Sequence, residues 1–192
     1  MLMFFKKTNF EFSSIDYPYN VLDAIIINKD VYSIDKYASF IREKKISKAH
    51  IISDSLDILT LCPSLNQLKI HPHFSSGTTF DFTPLYEHTY IKQLDCVNVI
   101  EPKIVYPIDF SLVSGLEELG FGFNKGCVNY NKISTLKSLS VGGYFSPTYD
   151  LRNLFCSENL DTLELRQCRE RSLNGIEISK NLSCLYIYHN RV

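Results

Sequence analysis

The chain has 192 residues, of which 45% are apolar and 21% charged, and its net charge is −1. These values are typical of a folded soluble protein, and a charge so close to zero argues against nucleic acid or an anionic membrane as a partner. No segment approaches the roughly 20 consecutive apolar residues that span a bilayer. The opening MLMFFKK places its lysines after a short apolar run, unlike a secretory signal, so a cytoplasmic location is predicted.

The first 20 residues are rich in Phe and Tyr and predict an aromatic N-terminal segment distinct from the rest of the chain. Within it, Phe10 and Phe12 alternate with polar residues, which predicts a short strand. Residues 21–27 (VLDAIII) predict the next strand. Asp30 is then expected to cap a helix over residues 31–44, whose apolar residues recur on one helical face.

A nine-residue pattern recurs along residues 22–192, and its clearest copy is LDTLELRQC at 160–168. Leu163 and Leu165 alternate there with polar residues, which predicts a strand with one buried face. The pattern begins again about every 23 residues, and a period of roughly 20 to 29 residues is typical of one class of solenoid repeat. Copies start at residues 22, 46, 65, 91, 116, 136, 160 and 182.

This L-x-x-L-x-L-x-x-N/C skeleton resembles that of the leucine-rich repeats, in an irregular form. The resemblance implies an α/β solenoid of about eight repeats over residues 21–192, with residues 1–20 as its N-terminal cap. Parallel strands would line a concave face, and short helices or 3₁₀ turns would form the convex face. Those turns are expected within residues 55–64, 81–89, 109–115 and 150–159.

The ninth position of each repeat is expected to turn inward and satisfy backbone groups, as Asn and Cys do in this repeat class. Three copies carry the expected residue types: Asn124, Cys168 and Asn190. The others interrupt the asparagine ladder, with Asp30, Asp54, His73, Val99 and Tyr144 at that position.

The residues that flank the core positions should form three outward rows across the strands. On these rows we predict the partner-binding residues, because solenoids bind through side chains that rigid strands hold in place. The predicted set is His50, Lys69, His71, Asp95, Glu118, Glu164, Arg166, Tyr186 and Tyr188. Glu164, Arg166, Tyr186 and Tyr188 are expected to be neighbours on the last two repeats. Between the two halves, a cluster of small residues would leave bare backbone for a partner's approach or mark a local bend: Gly120, Gly122, Ser138, Ser140, Gly142 and Gly143.

Neither catalysis nor metal binding is predicted. The six cysteines form no C-x-x-C pair, Cys96 takes a core strand position and Cys168 a corner, so reduced thiols are expected. His50 and His71 fall on neighbouring strands, but His73 should face inward and would not complete a metal site. No motif of a serine hydrolase, P-loop, dinucleotide site or zinc protease occurs, so we predict a non-enzymatic protein without cofactors.

The lead hypothesis is therefore a protein-binding module. Its size is similar to that of the immunity proteins that neutralise antibacterial toxins, and that analogy favours a toxin inhibitor. The alternative is a secreted effector or adaptor that engages a host or regulatory protein. A fragment of a longer repeat array is a third possibility, because little chain follows the last predicted strand to cover its edge. The same uncovered edge would allow self-association through the C-terminal strand. The segment 72–90 would either pack its aromatic residues on the convex side, as favoured here, or contact the partner.

Overall fold

The computed structural model describes residues 10–15, 21–72, 80–88, 90–96, 107–154, 157–169 and 172–188. The strands in these ranges are Phe12–Ile15 (β1), Val21–Asn28 (β2), Lys48–Ser53 (β3), Gln67–Pro72 (β4), Gln93–Cys96 (β5), Ile108–Asp109 (β6), Glu118–Gly122 (β7), Cys127–Val128 (β8), Ser138–Gly142 (β9), Thr162–Arg166 (β10) and Cys184–Tyr188 (β11). The helices are Ile34–Lys44 (α1), Ile58–Leu61 (α2) and Thr83–Glu87 (α3). Turns of 3₁₀ helix follow at Phe110–Leu112, Tyr130–Lys132, Arg152–Leu154 and Ile176–Ile178.

One nine-stranded sheet runs the length of the molecule in the order β1-β2-β3-β4-β5-β7-β9-β10-β11. All pairs from β2 to β11 are parallel, and only β1 runs antiparallel to its neighbour β2. A helix or 3₁₀ turn lies in each connection between consecutive strands of the parallel sheet. The predicted leucine-rich-repeat-like solenoid is therefore confirmed. The separate two-stranded sheet in which β6 pairs with β8 was not predicted from the repeat pattern.

The core lies between this sheet and the helices, and the leucine positions of the repeat fill it. Leu119 on β7 and Leu163 on β10 are both 0% exposed, which confirms the predicted strand register. The same two positions stay buried from β2 to β10, because each parallel strand aligns them with those of its neighbour. On β11, at one edge of the sheet, the equivalent Leu185 and Ile187 are partly or largely exposed.

Helix α1 starts later than the predicted residue 31, and Ser33 caps it in place of Asp30. The Ser33 side chain accepts a hydrogen bond from the Lys36 backbone N–H at 3.4 Å. Asp30 lies in the preceding turn, where its own N–H donates to Asn28 Oδ1 at 2.9 Å. The chain must complete this turn before it can enter the helix, so the cap moves three residues on.

Aromatic rings pack together at the N-terminal end of the core. Phe10 stacks on Phe40 of α1 with centroids 4.2 Å apart and lies within 5.3 Å of the Tyr32 and Tyr37 rings. The predicted cap residues before position 10 and at 16–20 lie outside the described residues. Phe80 and Phe82 are also buried, which confirms the packing alternative for these two members of the 72–90 segment.

At the ninth position of each repeat, the corner where the chain leaves the strand, uncharged residues turn inward and aspartates stay exposed. Cys168 is 1% exposed and donates its thiol to the carbonyls of Val141 and Arg166, as expected of an inward corner. Asp30 and Asp54 do not turn inward: both are exposed, and Asp54 pairs with Lys29. An ionised carboxylate would lose its hydration in the corner, and the exposed pairing avoids that cost. Of the remaining corners, Asn124 accepts from the Gly126 N–H at 2.8 Å and Tyr144 is buried. His73, Val99 and Asn190 lie outside the described residues.

Candidate functional site

The candidate site is the sheet face that points away from the helices, which we call the open face. On β4 the alternation is plain, because Leu68 and Ile70 are buried while Gln67, Lys69 and His71 point to the other side. The strand pairing aligns the three predicted outward rows wherever the strands are described. The middle row runs through His50, Lys69, Asp95, Gly120, Ser140, Glu164 and Tyr186.

The N-terminal end of the open face is basic and carries two stacked imidazoles. The rings of His50 and His71 lie 6.3 Å apart and nearly parallel, at 8°. Burial lowers the pKa of His50 to about 4, and the nearby Lys69 and His71 add to the effect. Its Nε2 atom is buried and has no hydrogen-bond partner. At neutral pH this end therefore presents lysine charge beside a neutral imidazole.

The centre of the open face is acidic and partly bare. Asp95 lies directly beside Lys69 in the register and is 5% exposed, whereas we had predicted an outward contact residue. Glu118 is half-buried, and burial, with a smaller contribution from the Glu117 carboxylate, raises its pKa. Beside them Gly120 pairs with Asp95 across β5 and β7 and contributes no side chain. The neighbouring Gly122 and Gly142 likewise oppose each other on β7 and β9.

The C-terminal half holds a buried polar network that corrects the prediction for Glu164. Glu164 is 1% exposed and therefore cannot act as a free contact residue. Its Oε2 atom accepts a hydrogen bond from the Ser140 hydroxyl at 2.8 Å, and Arg166 Nη2 donates to the same Ser140 oxygen at 2.9 Å. Arg166 Nε lies 3.4 Å from Glu164 Oε1. The arginine folds back over the acid, and this placement excludes water from it.

Two tyrosines continue this network to the edge of the sheet. Tyr186 pairs with Glu164 and Tyr188 with Arg166 in the register, so the predicted grouping of these four residues is confirmed. The two rings stack in parallel, 6.3 Å apart at 5°, and Tyr186 is 38% exposed. The arrangement offers an aromatic surface beside a half-buried guanidinium that the network holds in one orientation.

The sequence placed Ser140 in the middle row and among the small residues of the centre, but its hydrogen bonds to Glu164 and Arg166 were not predicted. The signal was available, because the repeat register places Ser140 opposite Glu164 on the neighbouring strand. Within the described residues, no group of three or more His, Cys, Asp or Glu side chains is arranged to bind a metal ion. The described cysteines are free thiols, four of them buried. None of the described helices is long and apolar enough to cross a membrane.

The fold and this face define the chain as a leucine-rich-repeat-like solenoid with a parallel sheet and short helical connections. No protein-family model and no curated protein sequence matches it. Among solved structures it is similar to an internalin C2 from Listeria monocytogenes, with a TM-score of 0.46 and 17% sequence identity. The similar region covers 73% of this chain and 58% of that one.

Proposed function

We propose that this protein is a non-enzymatic protein-binding module that recognises its partner through the C-terminal half of the open face. The observation that carries the proposal is the stacked pair of Tyr186 and Tyr188 next to Arg166. Tyr and Arg are enriched among residues that dominate binding energy, because they bury a large area and donate directed hydrogen bonds. The hydrogen bond from Arg166 to Ser140 and the stacking of the two tyrosine rings restrict these side chains in advance, so binding costs less conformational entropy.

The partner in our proposal is a cytoplasmic antibacterial toxin, which makes this chain an immunity protein. What supports it is the half-buried Glu118 carboxylate at the centre of the open face, which would complement a basic group such as those on the surface of a nuclease toxin. The neighbouring Glu117 already pairs with Lys92 and Lys137. The alternative is a secreted effector or adaptor, whose partner would be a host or regulatory protein. The identity of a captured partner distinguishes the two.

The test is capture of partners from the native cell with the full chain, followed by affinity measurement. Tyr186→Ala should weaken binding by about 2 kcal/mol, the usual hot-spot threshold, without changing the thermal midpoint. Arg166→Ala should weaken binding as well, but it should also lower the midpoint, because it removes the ion pair that covers the buried Glu164 carboxylate. Lys132→Ala is the control, because this exposed residue lies in a 3₁₀ turn on the helical side. A loss of affinity with Lys132→Ala alone, or with changes confined to the 72–90 segment, would move the binding surface away from the open face.

Self-association through the edge strand β11 is an alternative to partner binding, because it would occupy the strand that carries Tyr186 and Tyr188. Its Ile187 side chain is 41% exposed, and in the described part of the chain β11 pairs with β10 alone. Light scattering over a range of concentrations tests this use. A dimer that Ile187→Lys dissociates would show that a second copy occupies the edge, whereas a monomer leaves the tyrosine surface available to another protein.

A further inference from the structure

A cleft of about 300 Å³ opens between α2 and α3, on the helical side of the molecule and away from the open face. Its apolar walls come from two neighbouring repeats, with Leu59 and Pro63 on one side and Pro84 on the other. The volume is at the lower end of that of small-molecule sites, which suits a group of side-chain size. No part of the binding proposal above uses this cleft.

His88 lines the cleft and has an unsatisfied imidazole. The residue is 7% exposed, and both ring nitrogens are buried without a hydrogen-bond partner. Buried polar side-chain atoms nearly always have a partner, so two unpaired nitrogens on one ring call for an explanation. A ligand that donates a hydrogen bond to the unprotonated ring nitrogen would supply one of the missing partners.

The other polar groups around the cleft favour a cation. Glu87 is the only charged lining residue in the described part of the chain, and its carboxylate is exposed. Tyr90, 67% exposed, places its ring edge-to-face with His88 at 6.5 Å and offers an aromatic surface to a positive charge. The Thr60 hydroxyl donates to the Asp57 carbonyl at 2.7 Å, which leaves its oxygen able to accept.

We propose that this cleft binds an alkylguanidinium group, either as a free small molecule or as an arginine side chain of a partner protein. The planar guanidinium carries five N–H donors, enough for the Glu87 carboxylate, the His88 nitrogen and the Thr60 oxygen, and it stacks well on aromatic rings. Its apolar stem packs against Pro63 and Pro84. An anion is disfavoured, because it would meet the Glu87 charge.

The test titrates n-butylguanidinium chloride into the full chain and follows the ring signals of its five histidines by NMR. The His88 signal should shift and saturate, while those of His50 and His71 on the open face stay in place. The neutral n-butylurea, which has nearly the same shape, should bind at least about tenfold more weakly, as expected when hydrogen bonds to a charged group are lost. No saturable shift at His88, or equal binding of the urea, would overturn the assignment.

A Gly-Arg-Gly peptide distinguishes the two sources. Binding as tight as that of n-butylguanidinium assigns the site to a partner's arginine, and exclusion of the peptide assigns it to a free small cation. Glu87→Gln changes an exposed residue and should weaken binding about fivefold, the upper end for an exposed ion pair. His88→Phe should abolish it, whereas Lys132→Ala, which changes an exposed residue elsewhere on the helical side, should leave affinity unchanged. If Glu87→Gln bound n-butylguanidinium as tightly as the wild type, the Glu87 carboxylate would have no role in binding the cation.

Discussion

Replacing Ser140 with alanine should destabilise the fold by about 2 kcal/mol, because this buried hydroxyl connects Glu164 to Arg166. Hydrogen bonds to charged groups contribute roughly 1.5–3 kcal/mol each. Of the two hydrogen bonds that Ser140 makes, only the one to Glu164 should contribute its full value to the free energy of unfolding. The Arg166 side chain is 28% exposed and regains hydration when its bond is lost, whereas the Glu164 side chain, at 2%, does not.

Urea denaturation of Ser140→Ala, Glu164→Ala and the double variant measures this network directly. The two single changes should couple by about 1 to 2 kcal/mol, within the range for residues that share a hydrogen bond. Ser138→Ala is the matched control, because Ser138 lies two residues earlier on β9, is only half-buried and should change stability by less than about 0.5 kcal/mol. Equal costs for Ser138→Ala and Ser140→Ala, or no coupling with Glu164→Ala, would refute the network.

Leu119→Ala should cost about 2 to 5 kcal/mol, because the side chain is fully buried and leaves a cavity, whereas Glu118→Ala should cost far less. If urea denaturation showed the reverse order, the strand register would be wrong by one residue. The pKa of His50 falls from 6.5 to about 4 on folding, so between these values the unfolded chain binds more protons and stability decreases as the pH falls. Partial exposure of the ring reduces this loss to on the order of 1 kcal/mol, and His50→Gln should remove it from a pH series of denaturation curves. Excess reductant and chelator together should leave the thermal midpoint nearly unchanged, and a drop of many degrees with either reagent would contradict the expectation of reduced, metal-free thiols.

The alternation of apolar and polar residues in each repeat was sufficient to predict the sheet and its register. Leu163 and Leu165 can both be buried only if Glu164 lies on the other face, and the period of about 23 residues then aligns Glu164 with Ser140 and Tyr186. The short helical connections followed from the same spacing. These features depend on local periodicity, which a sequence displays directly.

The exposure of the outward residues was decided by tertiary structure alone. Glu164 has the sequence pattern of a solvated strand residue, yet Arg166 folds back over it and Ser140 from the next strand binds it. The start of α1 depended on the turn at Asn28, which displaced the cap from Asp30 to Ser33. The burial of a polar side chain is set by which neighbours come close on other strands and helices, and a repeat pattern records the alignment of strands but not the conformation of the side chains that cover them.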